Sequence, residues 1–401
     1  MRRNYLLLFG SAIISAACSP DAPTPLAPLT QGPDAQAAPT FWDSGASVYW
    51  NSVARNLVVK YSSSPFAAIR GYALLSHAQY LSTIQAEDAN GNVKPSTTAA
   101  VASASVGVLT YLYPAEAAAL GALKSSELSA QGWPGDAKTD QAAGEAIGNA
   151  VAQQIVADAR TDRFFAPWTG TVPTGPGIWF SSLVPPAPPV GAMFGQARTY
   201  YLTSGDQFRP PPPPAFGSPE YNAALTEVRQ VSDTRTPEQI ANALFWAFPG
   251  GTITPPGFWN LEAANLAVQY HLNERAASHL LAVMNMAGFD AIVACHDAKF
   301  AYWMIRPTQA DPLITLVVAL PNFPSYPSDH ACVSGAQSAI LGSFFPAERA
   351  RLNAMAEEAA QSRLDGGLHY RFDNETGLVL GRKVVGLGLS IDGPGQAALH
   401  R

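Results

Sequence analysis

From Phe41 to about Arg160 the apolar residues recur at helical spacing, and the strict alternation that marks strands is absent. Trp42, Val48, Val53 and Leu57 predict one amphipathic helix. Pro65, at a first-turn position that helices accept, opens a second. Alanine-rich stretches at about 98–112, 114–128 and 139–160 continue the helical reading, alanine being the best intrinsic helix former. Residues 161–218 break the period, because Pro173, Pro176, Pro185, Pro186 and an unbroken proline run at 210–214 exclude regular helix. Trp168, Trp179, Phe180, Tyr200 and Tyr201 are interleaved with those prolines. So aromatic a segment predicts an ordered crossover packed on the helices and roofing a site, not a disordered linker. Helical spacing resumes at about 219–233, 236–248, 259–273 and 274–303, and after a loop over 308–326 it returns at about 329–345, 347–363 and 374–391. The pattern predicts an all-α fold of two helical bundles, residues 41–160 and 219–401, joined by the crossover at 161–218.

The first forty residues read differently. Arg2 and Arg3 precede a short apolar core at 6–14, and Ile-Ser-Ala-Ala-Cys18 then resembles a bacterial lipobox. Residues 1–18 are expected to be a lipoprotein signal peptide with Cys18 as the lipidated mature N-terminus. The bland alternative is an ordinary signal peptide in which that cysteine is incidental. Residues 19–40, rich in Pro, Ala and Asp, read as a flexible tether. The expectation is an exported protein on the periplasmic face of a bacterial membrane or the cell surface, touching lipid only through this N-terminal anchor. No other apolar run reaches the roughly 18 residues that a spanning helix needs.

Composition adds two constraints. Hydrophobic residues make up 47% of the chain and charged residues only 13%, so large buried or paired surfaces are expected. The formal net charge of −6, with no basic stripe, argues against a nucleic-acid partner. His77 lies in an apolar helical stretch and reads as a packing residue. Cys295 and Cys332 flank the richest chemistry in the chain, and a disulfide and two separate buried thiols both remain open.

That chemistry lies in three short blocks between Lys299 and Asp373. Lys299 and Arg306 are seven residues apart, two helical turns, which would place both on one helix face. Ser328, Asp329 and His330 follow Pro327, where the backbone amides of a helix start attract anions. Arg363 adds a planar fork of donors. His369 precedes Asp373 by four residues, the spacing that lets a carboxylate fix an imidazole tautomer. Such a set suits a tetrahedral oxyanion. The apolar neighbours of Lys299 and Arg306 argue for burial, and buried cations need anionic partners. A divalent-cation site built on Asp329, His330, His369 and Asp373 is disfavoured by the three cations among them. A serine hydrolase is disfavoured by the lack of a GxSxG elbow. His296-Asp297, one turn before Lys299, reads either as support for the site or as surface.

The blocks resemble the signature of the type 2 phosphatidic acid phosphatase and vanadium-dependent haloperoxidase superfamily. The matching residues are Lys299, Arg306 and Pro307, then Pro327, Ser328 and His330, then Ser362, Arg363 and His369. The spacing from His369 to Asp373 is closest to long bacterial haloperoxidase-like members. One position departs: Asp329 stands where the pattern has glycine, which puts a carboxylate beside the expected anion. The resemblance implies a two-bundle, haloperoxidase/acid-phosphatase-like fold and one pocket that serves two chemistries. As a haloperoxidase, the chain would hold vanadate, with phosphate able to occupy the same place. His369 would ligate vanadium. Lys299, Arg306, Ser328, the Asp329 amide and Arg363 would neutralise its oxygens, Lys299 would also polarise bound peroxide towards halide, and His330 would move protons while halide is oxidised by hydrogen peroxide. As a phosphatase acting on a phosphate ester, His369 would form a phosphohistidine oriented by Asp373, and His330 would protonate the leaving oxygen. A third reading, a surface lipoprotein whose degenerate site only binds phosphate or scaffolds, rests on Asp329 alone.

Overall fold

Helix starts are marked by side-chain caps. Ser64, Ser96, Asp140, Ser218, Thr236 and Asn273 each accept from an amide of the following first turn. Pro65, Pro219 and Pro237 then occupy first-turn positions where no amide is missed. The computed structural model describes residues 45–92, 94–129 and 140–394. The expected signal peptide with Cys18, the tether and the first anchor Trp42 lie outside these residues.

Thirteen α-helices and no named strand are found among the described residues. In chain order they are α1 Ala46–Lys60, α2 Pro65–Glu87, α3 Thr97–Leu112, α4 Ala117–Ser129, α5 Gln141–Ala159, α6 Pro219–Thr234 and α7 Pro237–Phe245. There follow α8 Thr254–Gln269, α9 Glu274–Tyr302, α10 Pro307–Ala310, α11 Asp329–Phe344, α12 Arg349–Asp365 and α13 Arg371–Asp392. The all-α expectation holds. Several boundaries shift by a few residues from the periodicity, and two shifts have a clear backbone cause. Helix α8 begins five residues early, because Pro255 and Pro256 sit inside its first turn instead of before it. Helix α9 ends at Tyr302, because Trp303 takes the left-handed conformation with φ 51°.

Helix α9 is the hub. It is long and apolar enough to cross a membrane by composition, yet its apolar stretch is wholly buried in protein. It packs against α2 from the first helix group and against α11 and α13 from the second, so the two expected bundles share one spine. Helices α11 and α13 approach closely because α13 carries glycine at the contact. A β-carbon at Gly381 would lie 2.2 Å from the Cys332 carbonyl oxygen, and one at Gly377 would lie 2.7 Å from that of Ser328.

The crossover is ordered, as the aromatic content predicts, and it is pinned at named points. Asp290 of α9 is fully buried and accepts the amides of Tyr200, Tyr201 and Leu202 at 2.7–3.2 Å. Tyr302 and Tyr326 donate their hydroxyls to the carbonyls of Pro210 and Pro211. Arg209 forms a two-point ion pair with Asp297, which places Asp297 in the crossover's anchorage and not in the site. Replacing Asp290 with alanine strands three amides, two of them buried. We expect a loss of roughly 3 kcal/mol or more in a urea titration, with new protease cuts in residues 161–218. A loss below about 1 kcal/mol, with unchanged cleavage, would show that the crossover does not depend on this carboxylate.

Candidate active site

Four elements converge. The stretch after α9 supplies Arg306, the start of α11 supplies Ser328, Asp329 and His330, the last turn of α12 supplies Arg363, and the entry to α13 supplies His369 and Asp373. Lys299 and Arg306 do not share a helix face. Once α9 has stopped, the chain pairs with the crossover: Trp179 N–H donates to Trp303 O and Ile305 N–H to Gly177 O, at 2.7 and 2.9 Å. Pro307 forces the same outcome from the sequence side, because a residue before proline is kept out of the helical region, and Arg306 is extended at φ −76°, ψ 153°. At the other side of the cradle, Gly366 and Gly367 end α12. Gly367 takes φ +77°, and a side chain there would meet the Thr315 carbonyl at 2.8 Å. That turn brings His369 back beside Arg306.

Both guanidinium groups are buried without a carboxylate hydrogen-bonded to them among the described residues. Arg306 donates Nε–H to Phe323 O at 3.0 Å and Nη1–H to Leu368 O at 3.1 Å and to His369 Nε2 at 2.9 Å. Its charge also lies 5.0 Å above the Phe323 ring. Its Nη2 is buried with no partner among the described residues. Arg363 donates to its neighbour Ser362 Oγ at 2.9 Å and to the Ala243 carbonyl at 3.0 Å. Burial lowers both guanidinium groups, to about 10 for Arg306 and about 9 for Arg363, and Arg306 adds to the second shift by repulsion. Ser328 caps α11, yet its hydroxyl is buried and unpartnered among the described residues. The first-turn amides of α11 precede its first internal bond, from Cys332 N–H to Ser328 O. Excess buried positive charge, a spare hydroxyl and a helix N-terminus together fit a tetrahedral oxyanion. Among the described residues no group of three or more His, Cys, Asp or Glu is arranged to hold a cation.

The two histidines are held neutral and in opposite tautomers. His369 Nδ1 lies 2.8 Å from Asp373 Oδ2, so Nδ1 carries the proton, and its Nε2 accepts from Arg306. Burial first, then Arg306, keeps the ring well below its usual value. His330 Nε2 lies 2.9 Å from the Trp246 carbonyl, so Nε2 carries the proton and Nδ1 keeps the lone pair. Burial first, then Arg363, pushes it down to about 3. The carbonyls of Ala243 and Trp246 belong to the end of α7, so α7 contributes backbone acceptors to the cradle. Backbone acceptors leave no mark in a sequence, which is why this contribution was not foreseen. Ser325 was also missed: its hydroxyl donates to Asp373 Oδ2 at 2.5 Å.

Lys299 and Asp329 are near the cradle but engaged elsewhere. The Lys299 ammonium donates to the carbonyls of Pro324 and Ser325 at 3.1 and 2.9 Å and to that of Pro327. Asp329 turns its carboxylate towards Cys295, His296 and Lys299 of α9. Cys295 and Cys332 are neighbouring free thiols.

Residues 277–392 match the family model of the PAP2 superfamily. The chain is 27% identical over 206 residues to vanadium chloroperoxidase of Curvularia inaequalis, a match covering 41% of this chain and a third (33%) of the length of that relative. Among solved structures it is similar to a bacterial vanadium-dependent iodoperoxidase, with TM-score 0.73 and 24% identity, covering 87% of this chain and 95% of that one. It is also similar to the apo form of a bacterial vanadium-dependent chloroperoxidase, with TM-score 0.65 and 14% identity over 80% of this chain and 92% of that one. The holo form of a bacterial vanadium-dependent chloroperoxidase gives 0.61 and 16% over 88% and 96%. At these identities the structural likenesses establish the fold, and the family-model match agrees with the resemblance carried by the three sequence blocks.

Asp373 provides a test of the site's electrostatics. Burial pushes its carboxyl up to about 6, against Ser325, Lys299 and Arg306, which pull it down. The folded chain therefore holds more protons than the unfolded chain between about pH 4 and 6, and this group's contribution to stability is lost as pH rises through that window. Asp373→Asn removes the effect. In paired denaturation series, the wild type should gain about 2 kcal/mol on the variant between pH 7 and pH 4. Parallel curves would show that the carboxylate is not held in this environment.

Proposed function

We propose that this chain, with the fold of the vanadium haloperoxidases and a PAP2-superfamily segment across its catalytic helices, is a vanadate-dependent haloperoxidase that oxidises halide with hydrogen peroxide. The observation that carries this reading is the state of His330. A neutral imidazole whose Nε2–H is tied to the Trp246 carbonyl offers a lone pair at Nδ1. That bare nitrogen is a site at which a proton from hydrogen peroxide can be received. A phosphatase needs the opposite, an acid poised to protonate a leaving oxygen.

The residues fit the implied group. Arg306 through Nη2, Arg363, the Ser328 hydroxyl and the first-turn amides of α11 would hold the vanadate oxygens. His369 would offer Nε2 to vanadium. Bound vanadate supplies a Lewis-acidic centre at which peroxide is made electrophilic towards halide. Asp373 keeps the His369 proton on Nδ1, so the ligand lone pair always faces the cradle. Lys299 contributes its charge, while its protons stay on the three carbonyls. Halide gives two electrons to hydrogen peroxide, and hypohalous acid and water leave with uptake of one proton. The phosphatase reading keeps one supporting observation, the Asp373-oriented lone pair at His369 Nε2, which would also serve as a nucleophile towards a phosphate ester.

Assays on the purified protein separate the two. Vanadate-loaded protein should oxidise iodide or bromide with peroxide, and added phosphate should suppress that activity by competing for the cradle. Phosphate-ester hydrolysis without vanadate, in the absence of any halide oxidation, would overturn the proposal. The histidines should also separate. His369→Ala should abolish turnover and vanadate retention together, whereas His330→Ala should slow turnover by roughly 10²–10⁴-fold and still bind vanadate. Equal loss of vanadate from both variants would contradict these roles.

A further inference from the structure

Asp329 is the one place where the chain departs from the motif that it otherwise matches, and the structure gives its carboxylate a closed set of partners. Oδ1 accepts from the Cys295 thiol at 3.2 Å and lies 3.5 Å from Lys299 Nζ. Oδ2 lies 3.3 Å from His296 Nε2, and the other ring nitrogen of His296 lies 3.0 Å from the Gly191 carbonyl of the crossover. His296 and Lys299 are both fully buried. Burial alone would raise the Asp329 carboxyl, but Lys299 and then His296 outweigh it and hold it well below the usual carboxylate range. Burial first, then Cys332, keeps Cys295 protonated and donating.

Both ring nitrogens of His296 therefore face acceptors, a carbonyl and a carboxylate. A neutral imidazole satisfies only one of them, and an imidazolium satisfies both. Protonated in this way, His296 would give the cluster two cations and one anion, and the net positive charge would lie beside Ser328 at the entry to α11, where the cradle begins.

We infer that Asp329 and His296 are a positioning pair that sets how much of the Lys299 charge reaches the oxyanion cradle, with the Gly191 carbonyl of the crossover holding His296 in place. The inference rests on the oxyanion reading of the cradle, but not on which reaction the cradle performs. Removing the imidazolium leaves Asp329 to cancel Lys299, and the cradle loses one positive charge. Removing the carboxylate as well restores that charge, because nothing then opposes Lys299. A purely structural role makes the opposite forecast, since loss of both partners should harm the site at least as much as loss of one.

The test is a double-variant cycle on the full-length folded protein, with inorganic phosphate and orthovanadate as calorimetric probes and thermal melting as a fold control. His296→Gln should weaken binding of both anions about tenfold, an effect of the size expected for one partly screened charge nearby. The double variant His296→Gln/Asp329→Asn should return to within about threefold of wild type, even where its melting temperature is lower. His296→Gln binding within twofold of wild type, or a double variant weaker than His296→Gln, overturns the inference. If the first pair does not fold, His296→Asn with Asp329→Ala is read by the same criteria. Wild-type protein that binds neither anion would defeat the oxyanion reading itself, and that outcome is distinct from failure of the cycle.

Discussion

Two guanidinium groups buried without a carboxylate to pair with them are the constraint around which this structure is arranged. Taking such charges out of water costs several kcal/mol each unless something answers them. The chain answers with dipoles. Phe323, Leu368 and Ala243 turn carbonyls on the guanidinium groups, and the Phe323 ring lies under one of them. The nearby carboxylates are committed elsewhere, Asp373 to His369 and Ser325, and Asp329 to the α9 cluster. Positive charge is thereby retained where a tetrahedral anion would complete it. Asp373 holds His369 whereas a backbone carbonyl holds His330, so the two imidazoles nearest the cradle differ in role.

Backbone approach makes that arrangement possible. The glycines of α13 let it lie almost against α11, so that the Ser328 amide bonds the Asp373 carbonyl at 3.0 Å. The hydroxyl that faces the cradle and the carboxylate that orients His369 are thus tied through one main-chain hydrogen bond. The α12 exit turn at Gly367 fixes the remaining relation, between Arg363 and His369. Small residues at helix crossings here decide where the side chains of the cradle stand.

Much of this was legible in the chain. Helical periodicity disclosed the all-α fold, and the aromatic residues set among prolines pointed to a crossover that packs on the helices. The three blocks disclosed Arg306, Ser328, Arg363, His369 and Asp373 as one constellation, because charged and hydrogen-bonding residues amid apolar neighbours demand a common purpose. The Lys299–Arg306 helix face was misread, although Arg306-Pro307 already carried the signal that helix could not continue. The α7 carbonyls were invisible, since any residue supplies a carbonyl. In the sequence alone Asp329 is a charge opposing the anion. Only its three-dimensional partners on α9, and the crossover carbonyl behind His296, show where that charge is spent.

The central claim is that the two cradle histidines are neutral and protonated on opposite nitrogens. Nitrogen-15 spectra of histidine-labelled protein at neutral pH, assigned with the His330→Ala and His369→Ala variants, test it directly. The account predicts His369 protonated at Nδ1 and bare at Nε2, and His330 protonated at Nε2 and bare at Nδ1. An imidazolium at either position, or the same tautomer at both, would contradict it.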